Sequence, residues 1–169
     1  MPWTTLGTQF SGAVLEIGGG GGGMAEALAK ANPQIRLTMT DIDEAMVDVA
    51  RTRLAHVRNV SVRHADVTTL SFPDDSYDTV VSFLMLHHVI DWETAVAEVA
   101  RVLRPGGLFV GYDLTDTRIS ALIHRVDGSP HRLIRRGEFE AEVGAAGLDL
   151  ERMRYSAVHH IFRFVARKP

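Results

Sequence analysis

The sequence predicts an α/β fold, in which helices cover both faces of a doubly wound and mostly parallel sheet. Five apolar segments of strand length alternate with segments of helical length, and this alternation is typical of parallel strands connected by helices. Two further strand-like segments near the C-terminus follow each other almost directly. So short a connection permits only an antiparallel hairpin, which we expect at the end of the sheet.

The expected strands and helices can be placed from local signals. Apolar alternation and β-branched residues indicate strands, whereas capping residues and one-sided apolar spacing indicate helices. Asp43 stands at the N-cap position of the second helix, and a turn is expected at 104–107, before the fifth strand. The predicted strands are 14–17, 35–39, 60–63, 77–83, 108–112, 148–156 and 158–166, and the predicted helices are 24–30, 44–54, 91–103 and 138–146.

Six consecutive glycines, from Gly18 to Gly23, separate the first strand from the first helix. A strand, a glycine turn and a helix are typical of nucleotide-binding sites, because glycine permits a tight turn and the helix presents N–H groups to an anion. The run satisfies both G-x-G-x-x-G and G-x-G-x-G, and a flexible linker is the alternative. We expect a loop that is mobile when empty and ordered by its ligand.

Three acidic residues stand at or just after predicted strand ends: Glu16, Asp41 and Asp66. In a parallel α/β sheet the carboxyl ends of the strands form the ligand crevice. Asp41 lies about 20 residues beyond the glycines, where an acid can accept hydrogen bonds from both hydroxyls of a ribose. Each acid could instead be a helix cap or a solvated loop residue.

An ordered set of motifs identifies a family that the chain resembles. They are Val-Leu-Glu-Ile-Gly-Gly-Gly-Gly-Gly, Thr-Asp-Ile-Asp, Ala-Asp-Val, Tyr-Asp-Thr-Val-Val-Ser-Phe-Leu-Met-Leu-His-His-Val and Arg-Val-Leu-Arg-Pro-Gly-Gly. With this set, residues 13–166 resemble a class I S-adenosylmethionine-dependent methyltransferase, and most closely the members that act on small molecules. The resemblance implies a Rossmann-like fold, S-adenosylmethionine as cofactor and in-line transfer of its methyl group to a small-molecule acceptor.

The resemblance assigns the amino-acid end of the cofactor to the first strand and its turn. Glu16 would lie near the methionine part of the cofactor. Three glycines would bring the backbone against the amino-acid tail: Gly18, Gly20 and Gly22. Gly19 and Gly21 replace the cysteine and threonine that are usual in the family's turn.

The resemblance assigns the adenosine end of the cofactor to the next two strand ends. Asp41 would bind the ribose hydroxyls, and Ile42 would pack on the adenine. Asp66 would accept a hydrogen bond from the adenine amino group, with Val67 beside the ring. The segment from Ser82 to Leu86 would line the crevice near the transferred methyl group.

A general base is needed only where the acceptor must lose a proton, and histidine is the natural base near neutral pH. His87 and His88 follow the fourth strand. Because adjacent residues leaving a strand point apart, we expect only one of them to face the crevice. We predict that His88 is the catalytic base. Further candidates are His124, His131, Tyr112 and Asp113.

Two other groups of residues are candidate sites. A basic cluster near the expected substrate side could recognise an anionic group or could be a solvated face; its members are Arg125, Arg132, Arg135 and Arg136. No metal site is predicted, because the histidine pairs 87–88 and 159–160 have no metal-ligand spacing.

Composition restricts the classes of function. The net charge of −3 argues against a dedicated nucleic-acid-binding protein. The chain has no cysteine, which excludes disulfides, thiolate zinc sites and cysteine nucleophiles. The N-terminus has no signal-peptide pattern, and the longest apolar stretch, 79–90, is too short to span a bilayer. We therefore expect a cytoplasmic protein with no membrane partner and no nucleic-acid partner.

The expected domain covers residues 1–169, with the first strand beginning near residue 13. We therefore expect the N-terminal helices that cover the substrate in many relatives to be largely absent. Residues 1–12, the segment 114–136 or the second subunit of a homodimer would then have to supply a lid. Two alternative functions stay open: a non-catalytic S-adenosylmethionine-binding protein and, on the G-x-G-x-x-G spacing, an NAD-dependent oxidoreductase.

Overall fold

The computed structural model describes residues 10–117, 131–157 and 160–169. Predictions for residues 1–9, for His124 and Arg125, and for His159 lie outside these ranges. The strands are β1 (Ala13–Ile17), β2 (Arg36–Asp41), β3 (Val60–His64), β4 (Tyr77–Phe83), β5 (Leu103–Leu114), β6 (Asp149–Tyr155) and β7 (Ile161–Arg167). The α-helices of the described part are α1 (Gly23–Ala31), α2 (Glu44–Leu54), α3 (Trp92–Val102) and α4 (Glu138–Ala145).

The strands form a seven-stranded sheet in the order β3-β2-β1-β4-β5-β7-β6. The pairs among β1 to β5 are all parallel, and β7 runs antiparallel between β5 and β6. This confirms the predicted mostly parallel, doubly wound sheet with a C-terminal antiparallel hairpin. The chain order reverses between β1 and β4, and ligands of such sheets bind outside the carboxyl ends of the strands at this point.

Apolar side chains form a separate core on each face of the sheet. The face covered by α3 and α4 carries an aromatic core that includes Trp92, Phe109, Phe139 and Phe164. The ring centroids of Phe109 and Phe164 are 4.7 Å apart in an edge-to-face arrangement, which aromatic pairs prefer. The other face packs mainly aliphatic side chains of α1 and α2, such as Leu28, against the sheet. Helices on both faces are what double winding requires.

Side chains at the helix ends fix where the helices begin. Asp43 caps α2 as predicted, because its side chain accepts a hydrogen bond of 2.8 Å from the N–H of Ala45. Asp91 caps α3 and accepts a bond of 2.7 Å from the Thr94 hydroxyl. Both caps lie on the carboxyl side of the sheet, in the loops after β2 and β4, so they also fix the loops that border the crevice.

The structure corrects the turn predicted at 104–107, because these residues lie within β5, which already begins at Leu103. Leu103 pairs with Tyr77 and Leu108 pairs with Thr79, so the four residues 104–107 of β5 lie opposite the single residue Asp78 of β4. The Pro-Gly-Gly sequence forms a bulge within the ladder, in which Gly106 has a φ of +80°. The local turn signal is real, but strand pairing continues on both sides of it.

In the described residues, no helix is both long enough and apolar enough to cross a bilayer.

Candidate active site

The glycine turn after β1 depends on three residues in the left-handed region. Gly18, Gly20 and Gly22 have φ values of 61°, 53° and 77°, and these are the glycines of the G-x-G-x-G spacing. At Gly18 a side chain is excluded for a second reason, since a Cβ there would lie 1.9 Å from Cγ of Met85. The turn is thus shaped to let the backbone pass close to the loop after β4.

Asp41, the last residue of β2, holds the glycine turn in place. Its Oδ2 accepts a hydrogen bond of 2.7 Å from the N–H of Gly20, and its Oδ1 accepts one of 2.9 Å from the N–H of Asp43. The N–H of Gly19 also donates to the carbonyl of Thr40 at 2.9 Å. These bonds join the turn to β2. The expectation that a ligand orders the loop stays a prediction.

Glu16 is buried directly beneath the turn and is only 1% exposed. A Cβ on Gly19 would lie 3.3 Å from the Glu16 carboxyl carbon. Oε2 of Glu16 has no hydrogen-bond partner among the described residues. Burial, together with the nearby charge of Asp41, raises the pKa of Glu16 to about 8. An acid of this kind is a candidate for pairing with a cationic ligand group.

The carboxyl ends of the strands border a cavity of about 720 Å³, which is within the size range of small-molecule sites. Two sets of residues form most of its surface. The first, called the glycine-turn wall, comprises Gly18, Gly20, Asp41, Ile42, Asp66 and Val67. The second, called the post-β4 wall, comprises Leu84, Met85, His88, Val89, Ile90 and Asp91.

Asp66 combines the two roles that the sequence left as alternatives. It caps the short 3-10 helix Val67–Thr69, because Oδ1 accepts bonds of 2.8 Å from the N–H of Thr68 and 2.7 Å from its hydroxyl. The residue also belongs to the cavity wall, beside Val67. The capping bonds orient the carboxyl group, and a carboxylate has further acceptor sites that a ligand can use.

The two histidines after β4 differ in exposure, and of the two the cavity lining includes His88 alone, which agrees with the prediction that only one of them faces the crevice. His87 is buried, with Nδ1 against Oδ1 of Asp113. His88 is exposed and lines the cavity. The structure therefore places His88, and not His87, where an acceptor could be reached. Its role as a base stays a prediction.

Backbone strain is present in the post-β4 wall. Leu84 has a φ of 55°, a conformation that costs a side chain such as leucine about 1–2 kcal/mol. Its N–H donates to the Tyr112 carbonyl at 2.9 Å, and its side chain is 40% exposed. Strained residues cluster at functional sites, which agrees with the place of Leu84 in the cavity wall.

Three predicted cofactor-binding residues are not among those that line the cavity: Glu16, Gly22 and Ser82. Ser82 is fully buried within β4, and its hydroxyl has no partner among the described residues. The backbone of Gly22 packs closely against Leu54 and Ala50 of α2. The predicted lining ends at Leu86, whereas the cavity is also lined by residues 88–91, because the start of the next helix does not indicate where the residues between point. The sequence also gives no local signal that Asp113 anchors the loop after β4.

The described members of the basic cluster have partners within the protein. Arg132 donates to both carboxylate oxygens of Glu93, at 2.7 and 2.6 Å. Arg136 lies over the Tyr155 ring at 4.9 Å from its centroid. Arg135 lies 3.7 Å from a carboxylate oxygen of Asp116. These contacts favour the solvated-face interpretation of the cluster over recognition of an anionic substrate.

Comparison with known proteins agrees with this site. The family described as a methyltransferase domain matches residues 15–111, more than half of the chain. An uncharacterised methyltransferase of Mycobacterium tuberculosis is 39% identical over 104 residues, covering 60% of this chain and 49% of that protein. A ubiquinone/menaquinone biosynthesis C-methyltransferase of Cupriavidus taiwanensis is 41% identical over 96 residues, covering 56% of this chain and 40% of that protein.

The fold is also similar to solved structures. A protein of Pyrococcus horikoshii superposes with a TM-score of 0.83 at 20% identity, covering 99% of this chain and 88% of that one. At this identity the likeness shows the fold alone. The chain spans about half of the curated Mycobacterium relative and less of the Cupriavidus one. On the family match, with the glycine turn and the strand-end acids in place, the chain belongs to the class I S-adenosylmethionine-dependent methyltransferases.

Proposed function

We propose that this protein transfers a methyl group from S-adenosylmethionine to a small-molecule acceptor. One observation carries the proposal: a single cavity joins the glycine-turn wall, with its acids, to the mostly apolar post-β4 wall. The first wall offers groups that suit a nucleoside and an amino acid. The second offers a surface beside it on which an acceptor can lie. Family membership supports the same activity.

The residues of the glycine-turn wall fit the cofactor group by group. Asp41 uses one acceptor site on each oxygen for backbone N–H groups, so one further site on each oxygen can bind the ribose hydroxyls. Ile42 is 62% exposed and can pack on the adenine, next to Asp66 and Val67. These assignments are those that the family resemblance implies for the adenosine end.

The amino-acid end of the cofactor fits the space around the turn. Oε2 of Glu16 is buried without a described partner, and a cofactor ammonium group would supply one. The N-cap of α1 is Gly22, which has no side chain to bond the first N–H groups of the helix. Such a helix end favours a carboxylate. We therefore assign Glu16, the backbone at Gly18 and Gly20, and the helix end that follows Gly22 to this end of the cofactor.

When bound, S-adenosylmethionine supplies an electrophilic methyl group on a sulfonium. The protein then has to hold the acceptor atom in line with that carbon, and orientation alone can lower a barrier by roughly 7–11 kcal/mol. His88 in the post-β4 wall can accept a proton from the acceptor. A base in this role contributes roughly 10²–10⁴-fold.

The post-β4 wall supports an acceptor that is apolar and carries no negative charge. Leu84 and Ile90 are 40% and 57% exposed there. No lysine or arginine is among the described residues that line the cavity, whereas Asp41, Asp66 and Asp91 are. The Cupriavidus relative is named as a C-methyltransferase of quinone biosynthesis, so quinol rings belong in the acceptor panel.

The cytoplasmic location and the homodimer stay predictions.

Titration calorimetry with S-adenosylmethionine and with NAD is the first test. We expect the first compound to bind and the second to give no heat. Binding of NAD alone would favour the oxidoreductase alternative and overturn the proposal.

Transfer of a labelled methyl group to a panel of acceptors is the second test. The panel pairs neutral quinols, phenols and amines with their carboxylated analogues, and the Asp41→Ala protein serves as the matched blank. We expect transfer to a neutral member of a pair. Tight cofactor binding without transfer to any acceptor would instead favour a non-catalytic binding protein.

A further inference from the structure

Asp113 of β5 is fully buried, and its carboxylate holds the loop after β4. Oδ2 accepts a hydrogen bond of 2.8 Å from the N–H of Leu86. Oδ1 accepts one of 2.6 Å from the N–H of Leu114 and also contacts Nδ1 of His87. Because both oxygens already accept from N–H groups, the side chain acts as an acceptor, and the geometry makes Nδ1 of His87 a donor.

The backbone around His87 is held at two further points. The N–H of Leu84 donates to the Tyr112 carbonyl at 2.9 Å, and the carbonyl of His87 accepts a bond of 2.7 Å from the N–H of Arg132. Arg132 is in turn tied to α3 through Glu93. Asp113 of the sheet therefore holds the ring of His87, and the segment that contains Arg132 holds its carbonyl.

The fixed ring of His87 lies against the ring of its neighbour His88. The ring centroids of His87 and His88 are 4.1 Å apart, with an interplanar angle of 43°. His87 is 2% exposed, whereas His88 lines the cavity. A change in the position of the buried ring would remove the surface against which the exposed ring rests, so the two orientations are coupled.

Stability alone does not account for this buried pair. Burying a carboxylate costs several kcal/mol even when it is paired, and apolar residues of the same volume are often as stable. A buried polar pair directly behind a cavity wall is, however, what holding a functional side chain in one rotamer requires.

We infer that Asp113 and His87 form a positioning pair, which directs the ring of His88 toward the cofactor's sulfur and thereby sets its reach to the acceptor. The inference rests on the proposed function. Neither Asp113 nor His87 is among the residues that line the cavity, so the pair acts through His88.

Asp113→Asn tests the pair with little change in volume. An amide has one acceptor oxygen, whereas three donors converge on the carboxylate, so at least one of the three contacts is lost. The probe is S-adenosylhomocysteine, the demethylated form of the cofactor. In the wild-type complex we expect nuclear Overhauser contacts between the His88 ring and protons beside the sulfur. In Asp113→Asn we expect these contacts to disappear while the dissociation constant stays within about threefold.

Two variants separate positioning from general loss of structure. Asp78→Asn removes the charge of another acid of the sheet, which accepts from the N–H of Ala13 and pairs with Arg104, and it should leave the His88 contacts intact. His87→Phe keeps a ring but loses the bond to Asp113, so it should lose the nuclear Overhauser contacts of His88. It serves as the test if Asp113→Asn fails to fold.

Binding without His88 contacts in the wild type, or contacts retained in both Asp113→Asn and His87→Phe, would overturn the inference alone. No binding at all would overturn the proposed function and this inference with it.

Turnover with the acceptor found in the panel gives a second readout. Asp113→Asn should lower kcat about tenfold to hundredfold through misplacement of His88, with the KM for the cofactor within about threefold. In a His88→Ala background the same substitution should have no further effect on kcat. A merely structural role would lower kcat by the same factor in both backgrounds.

Discussion

The carboxylate of Asp41 and the backbone N–H of Gly20 are joined by a hydrogen bond of 2.7 Å across 21 positions of sequence. The acid at the end of β2 thus shapes the turn at the end of β1. Because each of its oxygens keeps a further acceptor site, the same side chain can order the turn and bind a ligand.

Asp41→Ala should weaken S-adenosylmethionine binding at least about tenfold. Charge-assisted hydrogen bonds contribute roughly 1.5–3 kcal/mol, which corresponds to about tenfold or more in affinity. Asp41→Asn keeps one acceptor oxygen and should fall between the wild type and Asp41→Ala. Calorimetry measures both variants, with circular dichroism as the check on folding. Equal affinity in all three proteins would remove Asp41 from the cofactor site.

Gly18→Ala should destabilise the protein more than Gly20→Ala. Both residues have positive φ, at 61° and 53°, and an alanine there costs roughly 1–2 kcal/mol. A Cβ at Gly18 would also lie 1.9 Å from Cγ of Met85, whereas Gly20 has no atom within 4 Å of such a Cβ. Overpacking should add about 1–3 kcal/mol at Gly18. Urea unfolding measures the difference, and equal losses would mean that Met85 moves aside freely.

Glu16 should make the ligand-free protein less stable as the pH rises. Its pKa is raised to about 8 from the ordinary value of 4.5, so between these pH values the folded state holds a proton that the unfolded chain has released. The free energy of unfolding therefore falls across this window, by up to about 1.4 kcal/mol per pH unit. Glu16→Gln lacks this contribution. Urea unfolding from pH 5 to 8 should show a shallower decline for the variant, and parallel curves would contradict the raised pKa.

The sequence predicts the elements well because their signals are local. The capping acid Asp43, the glycine spacing and the apolar periodicity each act within a few positions, and the structure has the corresponding elements. The bonds that fasten the glycine turn are different, since the partner of Gly20 lies 21 positions away. The link between His87 and Asp113 spans 26 positions. Such contacts depend on strand order, which residue types alone do not specify.

The bulge in β5 also shows that local signals do not specify strand pairing. Pro105, Gly106 and Gly107 are strong local turn signals, yet the ladder with β4 is resumed at Leu108. The local preference is kept as a bulge, and strand pairing resumes after it. The extent of the cavity lining was missed for a related reason, because the direction of Val89 and Ile90 depends on how the loop meets α3.

Arg101→Lys should lower the free energy of unfolding by about 1–3 kcal/mol. The Arg101 guanidinium donates to two carboxylates, that of Glu98 at 2.7 and 2.8 Å and that of Asp74 at 2.6 Å. It also donates to two backbone carbonyls, those of Phe72 and Leu70, each at 2.8 Å. A lysine has neither the planar fork nor enough donors to hold all these groups. Arg51→Lys is the matched control, because Arg51 makes an exposed pair with Asp48 and such pairs contribute little. Urea unfolding of the two variants should differ clearly, and similar values would mean that Arg101 does not hold the 70–74 loop to α3.

Ile90→Ser should weaken binding of the acceptor and leave the cofactor unaffected. The Ile90 side chain is 57% exposed in the post-β4 wall, and burying such a side chain beneath an apolar acceptor contributes roughly 1.5–3 kcal/mol. The KM for the acceptor should therefore rise about tenfold or more, with the dissociation constant for S-adenosylmethionine within about threefold. Val49→Ser is the matched control, because Val49 is 47% exposed on α2 and is not among the residues that line this cavity. A rise in KM that is equal in the two variants would show that the acceptor does not lie on the post-β4 wall. A loss of cofactor affinity in Ile90→Ser would instead place the cofactor there.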